Sequence, residues 1–399
     1  MQRPCGQATS KTLYDSSASI DWCIQEAALT EGEVIRVAAF TTGRHIPGSR
    51  FRVRQYIQFL RKFGIELSEF FTSLGAYPPK GKIIRPLWAL GSLASRLPSI
   101  VRSYHYDVTL FQREMLSTFF TLESLTKNPR ILDVDDAIWL NGNGSFARRL
   151  AEISDSVICG NSFLAEYFSQ WNSKISIVPT AVDTDRFFPF ASKPRTADDV
   201  NARPTIGWSG AYNAFPDLRV AKTALQIVLR KYPRARLRVI ADEPPHFLDI
   251  PNEQVEFVPW SPESEVQAIQ SLDIGIMPLR DTLWSRGKCA YKMLLYMSCG
   301  VPVVVSPIGM TADVCRMAPV GLCAKTTEDW VSALEELLGN SQLAESMGRR
   351  ARQVVLQNFS VRAVVPKLAD EILQVAGRQV EPTQDQPNPC LALSDKRKV

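Results

Sequence analysis

The chain alternates short apolar runs with helical patterns, and this alternation restricts its fold more than any other feature of the sequence. In the first part of the chain the apolar runs have the length of single strands: Val34–Phe40, Asp107–Phe111, Arg130–Val134, Ser156–Cys159 and Ile175–Val178. Apolar residues at helical spacing occupy Phe51–Phe63 between two of them. Strands separated by helices favour a parallel sheet covered by helices, which is an α/β fold.

A second series of strand patterns follows further along the chain: Thr205–Trp208, Arg236–Ala241, Val255–Val258, Asp273–Met277 and Val301–Val305. The segment between the two series, Asp185–Pro204, is rich in proline, charge and small residues, which indicates an interdomain linker. The length of 399 residues allows two α/β domains of ordinary size.

These patterns predict a specific division of the chain. We expect an N-terminal extension, a first Rossmann-like domain, a second Rossmann-like domain, a C-terminal helix that packs back on the first domain, and a disordered polar tail. The corresponding ranges are 1–33, 34–190, 204–358, 359–377 and 378–399.

Composition argues against several classes of protein. No apolar run reaches the ~20 residues needed to span a bilayer, and residues 1–33 lack the apolar region of a secretory signal. The eight cysteines form no CxxC pair and the three histidines lie far apart, so we expect reduced thiols, a cytoplasmic location and no metal site. The absence of GxSxG and GxxxxGK[ST] disfavours a hydrolase or an ATPase.

The net charge of +5 conceals a basic block at Val34–Tyr106. Twelve basic residues there face only Glu66 and Glu69, so the block carries +10 and the rest of the chain −5. The absence of a nucleic-acid-binding module disfavours nucleic acid as the partner. A phosphate-bearing substrate, an anionic membrane surface or a merely solvated basic face remain open.

The strongest local pattern lies at Trp284–Gly309, WSRGKCAYKMLLYMSCGVPVVVSPIG. A basic loop, Arg286–Lys288, precedes a helical pattern, and the loop Ser306–Gly309 follows a buried strand and opens another helix. Open α/β sheets bind ligands at the carboxyl ends of their strands, and helix N-termini favour phosphate. The pattern therefore predicts a diphosphate site, with Lys292 one turn beyond Lys288; solvated lysines on a surface helix are the alternative.

The stretch Lys288–Val305 also resembles the donor-site signature of glycosyltransferase family 4, whose fold is GT-B. The resemblance extends over most of the chain, through IGWSG at Ile206–Gly210 and VPTAVDTDRF at Val178–Phe187, and through DVTLFQR and DVDDAIW further upstream. It implies two Rossmann-like domains that face each other across a cleft.

The resemblance implies a UDP- or GDP-linked sugar donor on the C-terminal domain and a sugar or lipid-linked acceptor on the N-terminal domain. Transfer would proceed with retention, without a metal and without a cofactor, since the nucleotide-sugar is a substrate. Donor-binding positions are predicted on the C-terminal loops: Ser209, Gly210, Arg286, Gly287, Lys288, Lys292, Ser306, Ile308, Gly309 and Met310. Acceptor-binding positions are predicted on the first domain: Gly48, Ser49, Arg50, Arg52 and Arg113.

The chain departs from the family at its pair of acidic residues. The second acid, which usually holds the ribose hydroxyls, falls at Leu295, and the first falls at Gly287. A leucine cannot accept those hydrogen bonds. A non-catalytic relative that binds a nucleotide or scaffolds a partner is therefore the main rival hypothesis, and we expect Leu295→Glu to fold and to tighten donor binding.

An acidic cluster, Asp133-Val-Asp135-Asp136, follows one strand of the first domain. We predict Asp135 and Asp136 as catalytic residues that face the cleft. A DxD metal site and a purely structural role in capping the next helix are the alternatives.

Between Pro86 and Leu97, apolar residues recur on one helical face while Ser92, Ser95 and Arg96 lie on the other. Together with the neighbouring basic residues, this pattern suits an interfacial helix on anionic lipid, and a peripheral position on the inner face of a membrane. An ordinary helix that packs on the sheet is the other possibility.

Overall fold

The structure is a computed structural model, and it describes residues 34–44, 46–72, 74–75, 78–79, 81–190 and 203–378. The predicted N-terminal extension, most of the predicted linker and nearly all of the predicted tail lie outside the described residues. None of the described helices is long and apolar enough to cross a bilayer.

The first domain contains a parallel six-stranded sheet in the order β2-β1-β3-β4-β5-β6. Its strands are β1 Ile35–Phe40, β2 Ile65–Phe70, β3 Val108–Gln112, β4 Arg130–Val134, β5 Ser156–Cys159 and β6 Ile175–Ile177. Strands β3, β4 and β5 are buried throughout and carry runs of apolar residues, and each lies within one residue of the sequence prediction.

Among the described residues of the first domain, five α-helices surround this sheet. They are α1 Pro47–Arg52, α2 Ile57–Leu60, α3 Arg85–Ser103, α4 Ser145–Ile153 and α5 Ser162–Phe168. The predicted helix Phe51–Phe63 is instead broken into α1, α2 and short 3₁₀ turns. Strand β2 was not predicted, because its sequence IELSEF is only partly buried at the sheet edge and contains two glutamates.

The second domain contains a second parallel six-stranded sheet, in the order β12-β11-β10-β7-β8-β9. Its strands are β7 Thr205–Ser209, β8 Arg236–Ala241, β9 Val255–Pro259, β10 Ile274–Met277, β11 Val303–Val305 and β12 Gly321–Cys323. This is the strand order of a Rossmann fold, in which the order reverses between the first and fourth strands, here β7 and β10.

The remaining helices cover the second sheet and return to the first domain. They are α6 Phe215–Leu218, α7 Lys222–Lys231, α8 Glu265–Gln270, α9 Leu283–Arg286, α10 Tyr291–Ser298, α11 Met310–Met317, α12 Thr327–Gly339, α13 Ser341–Asn358 and α14 Val361–Val375. The sequence predicts a helix that the loop Ser306–Gly309 opens, and α11 begins there, at Met310. Strand β12 was not predicted.

Helix α14 packs on the first domain. Its buried residues, among them Val364, Leu368 and Ile372, share one apolar core with β1, β2 and β3. Arg362 at its start forms an ion pair with Asp185 at 2.7 Å. The chain therefore crosses from the second domain back to the first before the described residues end.

The carboxyl ends of the two sheets meet where loops from both domains touch. Asn161, which caps α5 after β5, donates to the carbonyl oxygen of Gly287 at 3.0 Å. The Phe51 and Tyr291 rings lie 4.0 Å apart between centroids. A Cβ atom built at Gly287 would lie 2.7 Å from the Cβ of Ala137, so the close approach requires glycine there. The site begins at this junction.

Candidate functional site

The crevice of the second domain opens between the loops that follow β7 and β10, the point where the strand order reverses. Ser209 ends β7 in a buried position, and its N–H donates to the Tyr296 hydroxyl at 2.7 Å. Gly210 follows directly, and a Cβ there would lie 2.2 Å from the Trp208 ring. Backbone can thus approach a ligand closely at this position, as phosphate-binding turns require.

Lys292, in the first turn of α10, directs its ammonium into this crevice. The Nζ atom lies 5.5 Å from the centroid of the Trp208 ring and 3.0 Å from the position of a Cβ at Gly210. No hydrogen bond or ion pair within the described part of the chain engages it. Burial, together with the charge of Lys288, lowers the pKa of Lys292 to about 8. A nearby anion would stabilise the charged form of Lys292, so this position suits an anionic ligand.

Lys288 lies beside Lys292 and is held by an acid. Its Nζ forms an ion pair with Asp217 Oδ2 at 2.8 Å, and Asp217 also accepts from Arg280 Nε at 3.0 Å. Burial raises the pKa of Asp217, but the hydrogen bonds from Lys288 and Arg280 outweigh it and leave that pKa below its usual value. Asp217 and Arg280 were not predicted; only the tertiary fold brings α6 beside the loop after β10.

Arg286 is half-exposed and pairs with Asp281 at 2.9 Å within its own loop. The predicted loop Ser306–Gly309 packs directly on it. Gly309 adopts a left-handed φ of +57°, and a Cβ there would lie 2.6 Å from the Arg286 carbonyl oxygen.

The other predicted residues of this loop are held by hydrogen bonds or by burial. Ser306 is buried, and its hydroxyl accepts from the Leu279 N–H at 3.0 Å. Ile308 directs its N–H to the Thr311 hydroxyl, and Met310 begins α11 in a buried position. The structure thus brings the predicted donor residues together around one crevice.

Asp135 and Asp136 approach the same place from the first domain. Arg113 binds both carboxylates, with 2.7 Å to Asp135 Oδ1. The Cys289 thiol of the second domain donates to the Asp135 carbonyl oxygen at 3.1 Å. Burial raises the pKa of Asp136, although the charges of Arg113 and Lys288 oppose that rise.

Arg113 itself adopts a left-handed φ of +64° at the carboxyl end of β3, a conformation that is costly for a non-glycine residue. Such strain concentrates where a fold must aim a side chain. Here it directs the guanidinium onto the Asp135–Asp136 pair. The first member of the acidic cluster has a different environment: Asp133 is buried against Arg52, so the DxD residues do not converge on one open position.

The predicted acceptor residues divide into two groups. Arg50 lies at the junction and pairs with Glu265 of the second domain at 3.3 Å, while Gly48 and the buried Ser49 lie in the first turn of α1 beside it. Arg52 is different. Its guanidinium is buried against Asp133 and donates to the Val178 carbonyl oxygen at 2.8 Å. That placement corrects the sequence interpretation of Arg52, since an arginine fully engaged inside the first domain supports β4 instead of facing an acceptor.

Leu295 lies inside the domain. It is 2 % exposed and belongs to the apolar core beneath α10. An acid at this point of the helix would be enclosed by apolar side chains. The expectation that Leu295→Glu would improve donor binding is therefore wrong in its premise, because residue 295 has no access to the crevice in this structure.

A cavity of about 520 Å³ lies elsewhere, at the amino ends of β1 and β3. Its lining includes Arg36, His105 and Asp107, and none of the predicted site residues. The site is instead an open crevice between loops, consistent with a ligand that is enclosed only when two domains approach.

Two Rossmann-like domains whose strand ends meet in this way define the GT-B fold, and this chain has that fold. Residues 203–340 match the family described as "Glycosyl transferases group 1". The match covers the second domain, including β7, the Lys288–Lys292 segment and the loop before α11. It confirms the resemblance to group 1 glycosyltransferases for that domain. No curated protein sequence matches the chain significantly.

Solved structures extend the likeness to both domains. Sucrose-phosphate synthase from Thermosynechococcus elongatus is 13% identical, with a TM-score of 0.61 over 86% of this chain and 99% of the other. HepE from Anabaena, in a complex with UDP-glucose, is 11% identical, with a TM-score of 0.60 over 85% and 100%. A glycosyltransferase from Rickettsia africae is 14% identical, with a TM-score of 0.60 over 86% and 99%. At these identities the likeness establishes the fold alone.

Proposed function

We propose that the chain is a glycosyltransferase that moves a sugar from a nucleotide-diphosphate sugar to a glycan or lipid-linked acceptor. The observation that carries this proposal is the pair of lysines at the switch point of the second sheet. One of them, Lys292, is without a hydrogen-bonding or ionic partner among the described residues, and the other, Lys288, is paired with a single acid. The group 1 family match covers these residues, and HepE was solved with UDP-glucose.

The diphosphate of the donor would lie across Gly210, with Lys292 and Lys288 as its counter-charges. Two lysine ammonium groups supply the positive charge that a divalent metal supplies in other transferases, which supports a metal-independent reaction. Asp217 would hold the Lys288 ammonium in orientation until phosphate replaces part of its contact. Arg286 can turn from Asp281, which is exposed, to the diphosphate.

In the transfer step the bond between the sugar anomeric carbon and the diphosphate oxygen breaks, and the bonding electrons leave with the nucleoside diphosphate. An acceptor hydroxyl forms the new bond and loses its proton. Charge develops on the leaving phosphate, where Lys288 and Lys292 are already in place, so they stabilise the transition state more than the ground state. We assign retention of configuration and a hexosyl donor to this reaction by the family resemblance.

Asp135 and Asp136 would orient the acceptor or the donor sugar from the opposite side of the crevice. They approach from the first domain, and the charge of Lys288 acts on Asp136. Arg113 fixes the direction of both carboxylates. Gly48, Ser49 and Arg50, at the start of α1, line the same junction and would contact the acceptor.

The acceptor side also bears on where the enzyme works. The basic block of the first domain favours an acceptor that carries phosphate or lies at an anionic surface. We propose a peripheral position on the inner, cytoplasmic face of a membrane for this reason.

Calorimetric titration with UDP, GDP, UDP-glucose and GDP-mannose, followed by a donor-hydrolysis assay, tests the proposal. We expect one nucleotide series to bind and its sugar form to be slowly hydrolysed. Lys292→Gln should weaken that binding, and Lys174→Gln, a change at an exposed lysine far from the crevice, should not. The absence of binding by any nucleotide would overturn the proposal.

A non-catalytic nucleotide-binding protein is the second candidate. Leu295 favours it, because the usual ribose acid is absent and its position is buried. Nucleotide binding without turnover on any sugar donor or acceptor would support this alternative. Turnover with any donor would exclude it.

A further inference from the structure

Helix α3 is packed with its polar side inward. The residues that it buries are Ser92, Arg96, Ile100 and Ser103. The residues that it exposes include Leu87, Leu90 and Val101, whose exposed fractions are 69%, 66% and 67%. A helix that packed on the sheet for its own stability would face the other way.

The buried face of α3 contains one charged side chain, Arg96, which is hydrogen-bonded to backbone carbonyls through two of its nitrogens. The Arg96 guanidinium donates to the carbonyl oxygens of Thr41 at 2.8 Å, Phe70 at 3.1 Å and Met115 at 3.3 Å. Burial lowers its pKa to about 10. The helical face that the sequence assigns to Ser92, Ser95 and Arg96 is therefore the inward face at Arg96. Arg96 anchors α3 to the loops that follow β1, β2 and β3, which form the acceptor side of the first domain.

The exposed face forms a continuous apolar strip. Leu87, Leu90, Leu97 and Val101 follow one another at helical spacing of three, seven and four residues, so they lie on one side. Ile83, in the preceding turn, is 94% exposed. Exposed apolar patches of this extent on a folded chain mark a surface that binds something apolar.

The charged residues of the segment that carries this strip are all basic. Between Phe70 and Tyr106 the sequence contains no aspartate or glutamate. Lys82, Arg85 and Arg102 are exposed at the ends of the helix. An apolar strip flanked by basic residues, in a segment without acidic ones, is complementary to an anionic lipid surface. The lipid headgroups attract the lysine and arginine side chains, and the leucine side chains insert at the boundary between headgroups and acyl chains. A soluble protein partner would need no such uniform charge.

We propose that α3 and the turn before it dock the protein onto an anionic membrane, with the leucine strip in the headgroup–acyl boundary. One consequence of this docking rests on the proposed function: the loops that Arg96 holds would then face an acceptor anchored in the bilayer. The docking itself depends on the α3 surface alone.

Flotation of the full chain with vesicles tests the docking. Phosphatidylglycerol–phosphatidylcholine vesicles at low salt should carry the protein, and pure phosphatidylcholine vesicles should carry little. The triple change Leu87→Gln, Leu90→Gln and Val101→Gln should lower the partition coefficient about tenfold or more. The matched control is Ile227→Gln with Leu356→Gln, two apolar residues of lower but substantial exposure on α7 and α13, which should bind as the parent does.

The charge contribution is tested separately with Arg85→Gln and Arg102→Gln. These changes should weaken binding at low salt and have little effect at about 0.5 M salt, where surface charges are screened. All the changed side chains are exposed, so melting temperatures should match the parent and any loss of binding is then a surface effect.

Three outcomes would overturn the docking proposal: no flotation of the parent with anionic vesicles, equal flotation of the strip variant, or a dimer in sedimentation that the strip variant abolishes. The last would assign the strip to a second copy of this chain. Nucleotide titration of the same samples is independent of these results. Loss of nucleotide binding with intact flotation would contradict the proposed function and leave the docking in place.

Discussion

Lys292 is half-buried, and its ammonium has no hydrogen-bonding or ionic partner among the described residues. Lysine ordinarily stays charged to a pH of about 10.4. Here burial and Lys288 lower the pKa of Lys292 to about 8. The charge that the diphosphate needs is therefore present below pH 8 and is lost above it. We expect donor affinity to be constant from about pH 6 to pH 7 and to fall above pH 8.

Lys292→Gln checks this expectation directly. The variant should bind the donor more weakly by roughly 1.5–3 kcal/mol at pH 7, the value of a charge-assisted contact to phosphate. Its affinity should also lose the decline above pH 8. Calorimetry across the pH range gives both quantities, and a parent-like decline in the variant would show that another group titrates.

Lys288→Ala removes the second ammonium and leaves Asp217 with Arg280. We expect a loss of roughly 1.5–3 kcal/mol in donor binding with the fold intact. Asp217 keeps one cationic partner, so its burial remains compensated. Unchanged donor affinity would mean that the diphosphate does not lie at this crevice.

Leu295→Glu should destabilise the protein, because the carboxylate would be enclosed by the core beneath α10. The free energy of unfolding should fall by at least about 3 kcal/mol at pH 7. The loss should shrink as the pH falls, since a protonated carboxyl is less costly to bury. Leu356→Glu, at a half-exposed position on α13, is the control and should cost little.

At the scale of elements, Gly287 in the loop between α9 and α10 lies so close to the first domain that no side chain fits at this position. Gly287→Ala places a Cβ at 2.7 Å from Ala137, and both loops must move apart. We expect a loss of about 1–3 kcal/mol in unfolding free energy, together with weaker donor binding. Urea titration measures this free energy. The control is Gly339→Ala, at the end of α12, which should leave the unfolding free energy unchanged because no atom lies within 4 Å of the new Cβ.

The strands that the sequence predicts to the residue are β4, β5 and β8, because each contains a run of buried apolar residues. The partly buried edge strands β6 and β9 are also predicted, because apolar residues alternate along them. β2 and β12 are edge strands with partial burial, so their pairing is decided by neighbours far along the chain. The two sides of α3 were predictable, but which side faces inward was not. That depends on the backbone carbonyls which Arg96 binds.

The candidate site divides in the same way. Lys288 and Lys292 follow from local patterns of loop and helix, and Gly210 follows from the family resemblance. Asp217 and Arg280 do not, because only the packing of α6 beside the loop after β10 brings them to Lys288. Arg52 and Leu295 show the converse: their sequence positions suggest the site, and their burial removes them from it.

At the scale of the whole molecule, Arg352 on α13 links the two domains near the interdomain linker. Its guanidinium donates to the Phe187 carbonyl oxygen at 2.7 Å, the Ser298 carbonyl oxygen at 2.8 Å and the Thr184 carbonyl oxygen at 3.1 Å. Arg352→Met should lower the unfolding free energy by about 2–4 kcal/mol, because buried carbonyls lose their donor.

Arg349→Met on the same helix is the matched control. Arg349 is exposed and pairs only with Glu345 one turn away. Its removal should change the unfolding free energy by less than about 1 kcal/mol. Similar losses in both variants would mean that Arg352 contributes through its helix and not through the junction.

The return of α14 to the first domain has a consequence for how the protein is made on the ribosome. Val364, Leu368 and Ile372 complete the core that β1 and β3 begin, although more than half of the chain separates them in sequence. When all strands of the first sheet have been synthesised, the first domain still lacks the helix that covers one side of its core. The first domain is thus completed after the second, and until α14 has been synthesised its apolar surface is left to chaperones or to the second domain.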